Sequence, residues 1–366
     1  MAQDRHVGSP ASAHPSRRGP LTAWAAIVGV ALVGGVLGGL IVKATTSSAR
    51  GGSATAAPFC SATAVAAAAL PAVVTISVRG PGGTGSGSGE LIRDGGYILT
   101  NDHVIAAAVP GGQLSVRFSG GQTSPAQVVG ADPLTDLAVL RASDVPASAH
   151  PIAVGSSAAV VVGQAVVAVG APLGLDETVT AGIVSALDRY VPVPGSTGRT
   201  AHLVDALQTD AAINPGNSGG ALTNCVGALV GVTTAIATVP NAAGTPGGGS
   251  VGVGFAIPVD LALPLADRLI ATGRPDHPTL GLTVQTVQAS DGTRGLRVTS
   301  TTPGGPAASA GLQVDDVITQ VDGHPVATGY DLVVAALRGS VGQSVEVTYQ
   351  RGGTPHQASL TLAAPG

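Results

Sequence analysis

Gly216-Asn217-Ser218-Gly219-Gly220 sets one serine among residues whose backbone can come close to a bound carbonyl group. A serine hydroxyl is a weak nucleophile unaided. It needs a base to take its proton and backbone N–H groups to hold the oxyanion that develops, and glycines at 216 and 219 leave room for both. The pentapeptide alone decides nothing, because Gly-Asn and Ser-Gly are also ordinary turn vocabulary.

Two upstream segments add to it. Thr100-Asn101-Asp102-His103-Val104 follows the apolar run Tyr97-Ile98-Leu99, so His103 falls where a strand gives way to a loop. In Asp132-Pro133-Leu134-Thr135-Asp136-Leu137-Ala138-Val139-Leu140 a turn feeds a strand, with Asp136 at the strand's start. The order His, Asp, Ser is one in which a nucleophilic triad is threaded. Of the other histidines, His6 and His14 lie in the N-terminal tail, and His324 and His356 in a separate C-terminal region. His150, His202 and His277 sit in connecting segments and read as solvated loop residues. Asp132 precedes a proline and reads as a turn cap.

Together with residues 178–186, 210–222 and 254–258, these motifs resemble the HtrA (Deg) family, trypsin-like serine proteases of chymotrypsin fold that carry PDZ domains. The resemblance runs from about residue 64 to the C-terminus. It implies a mainly β protein: a chymotrypsin-like double β-barrel followed by a PDZ domain. It makes Ser218 the nucleophile, His103 the general base and then acid, and Asp136 the group that orients the imidazole. The N–H groups of Gly216 and Ser218 form the oxyanion hole, with Asn217 between them. Asn217 stands where digestive proteases of this fold have an aspartate, and a neutral amide cannot pair with a newly cut N-terminus. The substrate pocket is expected at Ala212 and Ile213, with Val232 and Thr233 nearby. Ala212 offers no carboxylate to a cationic side chain, so small or medium aliphatic side chains are expected before the scissile bond. No cofactor and no metal are expected. The partners implied are unfolded proteins as substrates and, as in many relatives, two further copies in a trimer. The competing reading is a catalytically silent, membrane-tethered PDZ binding protein.

From residue 279 to 362 the pattern becomes a compact β-rich unit with helices near 307–310 and 330–338. Leu280-Gly281-Leu282, Pro306-Ala307-Ala308-Ser309-Ala310-Gly311-Leu312, Asp315-Asp316-Val317-Ile318 and Val321-Asp322-Gly323 resemble a bacterial PDZ domain. The resemblance places Leu280, Gly281 and Leu282 at the loop that receives a peptide C-terminal carboxylate, the peptide itself adding as a strand to a sheet edge.

Composition agrees with this architecture. Aromatic residues make up 2% of the 366 residues and there are 54 glycines, so cores must be built from Val, Ala, Leu and Ile between tight turns. Strands are expected at 73–78, 114–118, 165–169 and 228–233. A helix is expected over 260–271, capped by Asp260 and ended by Gly273. Segments 188–202 and 235–250 read as long loops that control the site. The net charge of −4, with no basic cluster beyond the N-terminal tail, gives no footprint for nucleic acid.

Residues 21–42 carry no charge and are long enough to span about 30 Å of hydrocarbon as a helix. A cleaved signal peptide is the rival reading, although this apolar run exceeds the usual length of a signal core. The expected organisation is a cytoplasmic tail (1–20), a transmembrane helix (21–42), a flexible linker (43–63), a protease domain (64–272) and a PDZ domain (278–366). The catalytic and PDZ parts would then lie outside the cell membrane. Cys60 and Cys225, the two cysteines, both follow the apolar run, and a disulfide between them is expected, with two buried thiols as the alternative.

Overall fold

The computed structural model describes residues 60–108, 111–171, 178–196, 198, 200–236, 250–275, 277–288 and 294–364; the expected membrane segment 21–42 lies outside them. No helix among the described residues is long and apolar enough to cross a membrane. Helix α1 (Ala62–Ala69) opens the folded part, with Ser61 Oγ accepting a bond from the Ala64 N–H at 3.4 Å. Just before it, Cys60 is disulfide-bonded to Cys225, with Cα atoms 4.7 Å apart. Ordered structure therefore reaches back into the segment expected as linker, because a covalent bond and a helix cap hold it.

Six antiparallel strands close the first barrel in the order β1-β2-β3-β6-β5-β4: β1 (Val73–Gly80), β2 (Gly83–Arg93), β3 (Tyr97–Thr100), β4 (Gln113–Phe118), β5 (Thr123–Asp132) and β6 (Leu137–Ala142). The pleat explains the burial: Val74, Ile76 and Val78 of β1 point inward with Leu114, Val116 and Phe118 of β4, while Ser77 is exposed. A single helical turn, α2 (Asp102–Ile105), follows β3.

The second barrel repeats the plan in the order β10-β11-β12-β9-β8-β7: β7 (Ala165–Gly170), β8 (Thr178–Pro194), β9 (Thr200–Thr209), β10 (Ala221–Thr223), β11 (Leu229–Ile236) and β12 (Gly254–Pro258). Segment 188–202 is not the expected loop. Tyr190 to Pro194 extend β8 and pair with β9 as far as Pro194 opposite Thr200. Register shifts on both sides of Arg189 precede the prolines, and from Val191 the pairing with β9 is regular through Pro192 and Pro194. His202 is likewise no loop residue: it is buried on β9, its Nδ1 is 2.7 Å from the Tyr190 hydroxyl, and burial lowers its pKa. Of the second expected loop, 235–250, residues 237–249 lie outside the described residues.

Helix α3 (Val259–Thr272) leaves the second barrel and packs back on the first. It buries Val259, Ala262, Leu265, Ala266 and Leu269, and a Cβ at Gly130 of β5 would lie 3.0 Å from the Gly273 carbonyl. Gly273 ends it at φ 73°, as expected. Asp260 is not its cap. Pro258 holds that position, and the Asp260 carboxylate instead accepts from Ser156 Oγ at 3.0 Å and the Ala158 N–H at 2.8 Å.

The C-terminal unit is one sheet in the order β13-β14-β15-β17-β18, with β16 on β15: β13 (Leu282–Gln288), β14 (Arg294–Thr301), β15 (Val317–Val321), β16 (His324–Pro325), β17 (Ser344–Arg351) and β18 (Thr354–Thr361). Helices α4 (Pro306–Ser309) and α5 (Gly329–Arg338) cover it, the latter opened by a capping box between Thr328 and Asp331. Strand β13 is a sheet edge. On α5, Tyr330 lies 5.7 Å from the Tyr190 ring and 5.4 Å from the His202 ring, and Arg338 bonds the Asp205 carboxylate. His277, expected to be solvated, places Nε2 2.7 Å from Asp132 Oδ2, and Asp132 also accepts the Leu134 N–H, as a turn cap does.

Candidate active site

The first barrel supplies two of the three expected triad residues. Asp136 is the residue just before β6 and holds φ 59°, a left-handed conformation that costs a non-glycine residue about 1 kcal/mol. Its surroundings fix it there: its carbonyl accepts from the Asp102 N–H at 3.2 Å and Asn101 Nδ2 at 2.8 Å. The carboxylate then faces α2, where Oδ1 accepts the His103 backbone N–H at 3.0 Å and Oδ2 lies 2.8 Å from His103 Nδ1. Asp136 is 4% exposed and His103 37%, so the acid is enclosed while the ring opens to the cleft. Burial disfavours the imidazolium, yet the hydrogen bond and charge of Asp136, with the charge of Asp102, outweigh it and raise the His103 pKa. With the proton on Nδ1, Nε2 is the free acceptor.

The second barrel supplies the serine through a loop whose backbone is held at nearly every peptide. Asn214-Pro215-Gly216-Asn217 is a β-turn closed by the Asn217 N–H on the Asn214 carbonyl at 2.9 Å. Proline at its second position and Gly216 at φ 102° make it type II. Beyond it, the Gly219 N–H bonds the Thr233 carbonyl at 2.7 Å and the Gly220 N–H the Asn217 carbonyl at 2.9 Å. Gly219, at φ 81°, leaves no room for a Cβ, which would lie 2.3 Å from the Ser88 carbonyl. No described residue accepts a bond from the N–H of Gly216 or Ser218. Asn217 is buried, its Nδ2 turned back 3.3 Å from the Ala212 carbonyl.

Thr234 joins the two halves, and sequence reading did not single it out. Its Oγ1 donates to Asp136 Oδ2 at 2.6 Å, and its carbonyl accepts from Ser218 Oγ at 3.2 Å. Through Thr234, in contact with both acid and serine, the structure brings Asp136, with His103 bonded to it, and Ser218 together where the two barrels meet. The available signal was the Thr233-Thr234 pair in a strand, where alternation sends the two side chains to opposite faces.

That alternation also corrects the expected pocket. Val232 is 0% and Thr233 1% exposed. Val232 belongs to the core, and Thr233 Oγ1 lies 2.6 Å from the Asn217 carbonyl and 3.1 Å from that of Gly220, so Thr233 holds the serine loop from behind. Ile213 is 1% exposed and packs on Gly254 in the second-barrel core. Only Ala212 of the four is partly exposed. Asp210 accepts the Ile183 N–H at 2.7 Å, the backbone-capping role expected of it.

In the C-terminal unit, Leu280 is buried and Gly281 holds φ 68° just before edge strand β13. The Gly281 N–H is already bonded to Thr279 Oγ1 at 3.0 Å. No group of three or more His, Cys, Asp or Glu among the described residues has the arrangement of a metal site.

Two closed barrels with Asp136, His103 and Ser218 where they meet, followed by a sheet with β13 at one edge, have the architecture of a trypsin-like peptidase domain joined to a PDZ domain. Family models agree: a trypsin-like peptidase domain matches residues 87–232 and a PDZ domain residues 278–362. Serine protease PepD of Mycobacterium tuberculosis is 44% identical over 292 residues, which are 78% of this chain and 62% of PepD. The periplasmic pH-dependent serine endoprotease DegQ of Escherichia coli is 35% identical over 349 residues, 86% of this chain and 73% of DegQ. Among solved structures, the HtrA-type protease AlgW with tripeptide matches with a TM-score of 0.67 at 34% identity, covering 84% of this chain and 98% of that one. The chain belongs to the HtrA (Deg) family of serine proteases. It spans a little under two thirds of the length of PepD.

Proposed function

We propose that the chain is a serine endopeptidase acting on unfolded proteins outside the cytoplasm. The observation that carries this reading is the bonded line from Thr234 Oγ1 through the Asp136 carboxylate to His103 Nδ1, with Ser218 Oγ on the Thr234 carbonyl. Ser218 Oγ attacks a peptide carbonyl while His103 Nε2 takes its proton. Asp136 keeps the imidazole in the accepting tautomer and stabilises the imidazolium. Ser218 Oγ leaves the Thr234 carbonyl to bond Nε2 in the reacting complex, since catalytic hydrogen bonds commonly form or tighten when substrate binds. The N–H groups of Gly216 and Ser218 receive the oxyanion. His103 then protonates the leaving amine, and water repeats the attack on the acyl-enzyme.

Ala212 supports a preference for small or medium aliphatic side chains before the cut, since a buried Lys or Arg would find no carboxylate there. The PDZ unit takes peptide C-termini along β13, with Leu280, Gly281 and Leu282 around the carboxylate, and so recruits substrate or signals its presence. Residues 21–42 anchor the chain as a single-pass protein; the periplasmic relative DegQ supports the extracytoplasmic placement. Assembly as a trimer completes the proposal.

The test is labelling with a fluorophosphonate, followed by mass-spectrometric mapping of cuts in an unfolded protein. Label on the wild-type chain but not on Ser218→Ala, with cuts after aliphatic residues, is expected. A folded wild-type chain that takes no label would favour the silent binding protein, and a majority of cuts after Lys or Arg would overturn the pocket assignment. N-terminal sequencing of material from membranes checks the anchor, which a mature start near residues 48–58 would rule out.

A further inference from the structure

Ser88 sits on β2 of the first barrel, fully buried, yet none of the bonds made by its side chain stays in that barrel. Its Oγ donates to the Gly216 carbonyl at 2.6 Å and accepts from the Ala171 N–H at 2.8 Å, partners 128 and 83 residues away in sequence. Its backbone N–H donates to the Ser218 carbonyl at 2.9 Å. One residue therefore grips the carbonyls of both residues whose N–H groups stay unbonded. Its own carbonyl accepts from Thr100 Oγ1 at 2.7 Å, three residues before His103. The serine loop of one barrel and the histidine segment of the other meet at this side chain.

The local sequence is built to admit that approach. A Cβ at Gly87 would lie 2.6 Å from the Val104 side chain, one at Gly89 2.6 Å from Ile98, and one at Gly220 3.1 Å from the Ser88 Cβ. Gly220, and Gly87, whose Cβ would also lie 3.2 Å from the Ser218 carbonyl, let β2 and the loop come close enough for a short side chain to reach Gly216, while Gly89 makes room for Ile98 and Ile76 inside the first barrel.

We propose that Ser88 is a positioning residue: it sets the Gly216 and Ser218 N–H groups in register with His103 across the inter-barrel cleft. This rests on the reading of those two N–H groups as the oxyanion donors. A donor pair displaced by a fraction of an ångström still binds substrate but holds the tetrahedral intermediate poorly, so the defect belongs in turnover and not in ground-state binding.

Ser88→Ala and Ser88→Cys in the full-length chain test it, the cysteine keeping the volume while bonding weakly. Both are expected to lower kcat on a peptide amide by about 30- to 100-fold with KM within about threefold, and to weaken a peptide boronate in step with kcat. Hydrogen exchange of the peptide carrying residues 216–220 should quicken in both, with the barrel strands unchanged. A cysteine variant with full turnover would mean that packing alone matters, and a rise in KM at constant kcat would mean that Ser88 shapes the substrate site; either overturns the proposal. Unchanged exchange at 216–220 overturns it whether or not the chain is an active peptidase. Quickened exchange in a wild-type background that takes no fluorophosphonate upholds the clamp and sinks the proposed function instead.

Discussion

Two loops in this molecule present backbone N–H groups beside a glycine at positive φ, and they differ in what those groups already hold. Around Ser218 the N–H groups of Asn217, Gly219 and Gly220 are bonded within the protein, while those of Gly216 and Ser218 are left open. Before β13, by contrast, the Gly281 N–H is occupied by Thr279 Oγ1. An oxyanion that exists only in a transition state gives donors no time to rearrange, so they must stand empty and aimed beforehand. A carboxylate that arrives fully charged and stays can displace a neighbouring hydroxyl as it binds. Empty donors thus mark the loop suited to chemistry, and a parked donor the loop suited to a ligand.

The largest effect separates the loops outright. Ser218→Ala or His103→Ala should lower peptide hydrolysis about a millionfold and leave binding of a C-terminal peptide to the PDZ unit unchanged, as read by calorimetry. Loss of both activities together would mean the loops are not independent. In the wild type, the raised pKa of His103 requires that kcat/KM climb with pH through an apparent value above 6.5, because only neutral imidazole accepts the serine proton. Removing the charge in Asp136→Asn should move that limb to lower pH besides cutting the rate.

The next effect lies in stability. Cys225 follows β10 just beyond the serine loop, and its bond to Cys60 closes 165 residues. Chain entropy sets the stabilisation at up to about 5 kcal/mol, so Cys60→Ser should lower the urea midpoint of the barrels and not that of the PDZ unit. A shared drop would show that both units unfold as one.

The proposed triad was readable in the sequence because each member sits in a local motif: a turn before β6 for Asp136, the end of β3 for His103, and glycines around Ser218. Thr234, Ser88 and the real duty of Thr233 were not readable in that way. Their roles depend on which face of a strand meets the other barrel, and a shift of one residue exchanges the faces of Thr233 and Thr234. The same blindness gave Val232 to a pocket when the pleat sends it to the core. Segment 188–202 misled for a different reason: Pro192 and Pro194 read as breakers, and only the pairing with β9 makes them strand.

Glu90, two residues along β2 from Ser88 and so on the same face, sharpens the comparison from the side of packing. It is fully buried with no hydrogen-bond partner for either carboxylate oxygen among the described residues, and burial raises its pKa well above 4.5. A carboxyl whose folded-state pKa is raised favours folding most below the unfolded value and loses that advantage as pH rises toward the folded one. Stability should therefore fall by up to about 1.4 kcal/mol per pH unit between the unfolded and the folded value. Glu90→Gln should flatten the slope in urea titrations between pH 4.5 and neutrality, and an unchanged slope would place its origin elsewhere.

The smallest effect tests the parked donor itself. Thr279→Val keeps the shape of the side chain and removes the hydroxyl that occupies the Gly281 N–H, so a peptide carboxylate no longer has to displace it. The exchange trades a neutral bond worth about 1 kcal/mol for a charge-assisted one worth about 1.5 to 3 kcal/mol, and in the variant the first of these is no longer lost on binding. A C-terminal peptide should bind the variant about three- to tenfold more tightly, and an amidated peptide, lacking the carboxylate, should gain much less. If both peptides bind the variant more weakly, Thr279 orders the loop instead of occupying a donor, and the contrast between the two loops fails at the PDZ side. If the acid and the amide gain equally, the carboxylate does not reach Gly281, and the assignment of Leu280, Gly281 and Leu282 goes with it.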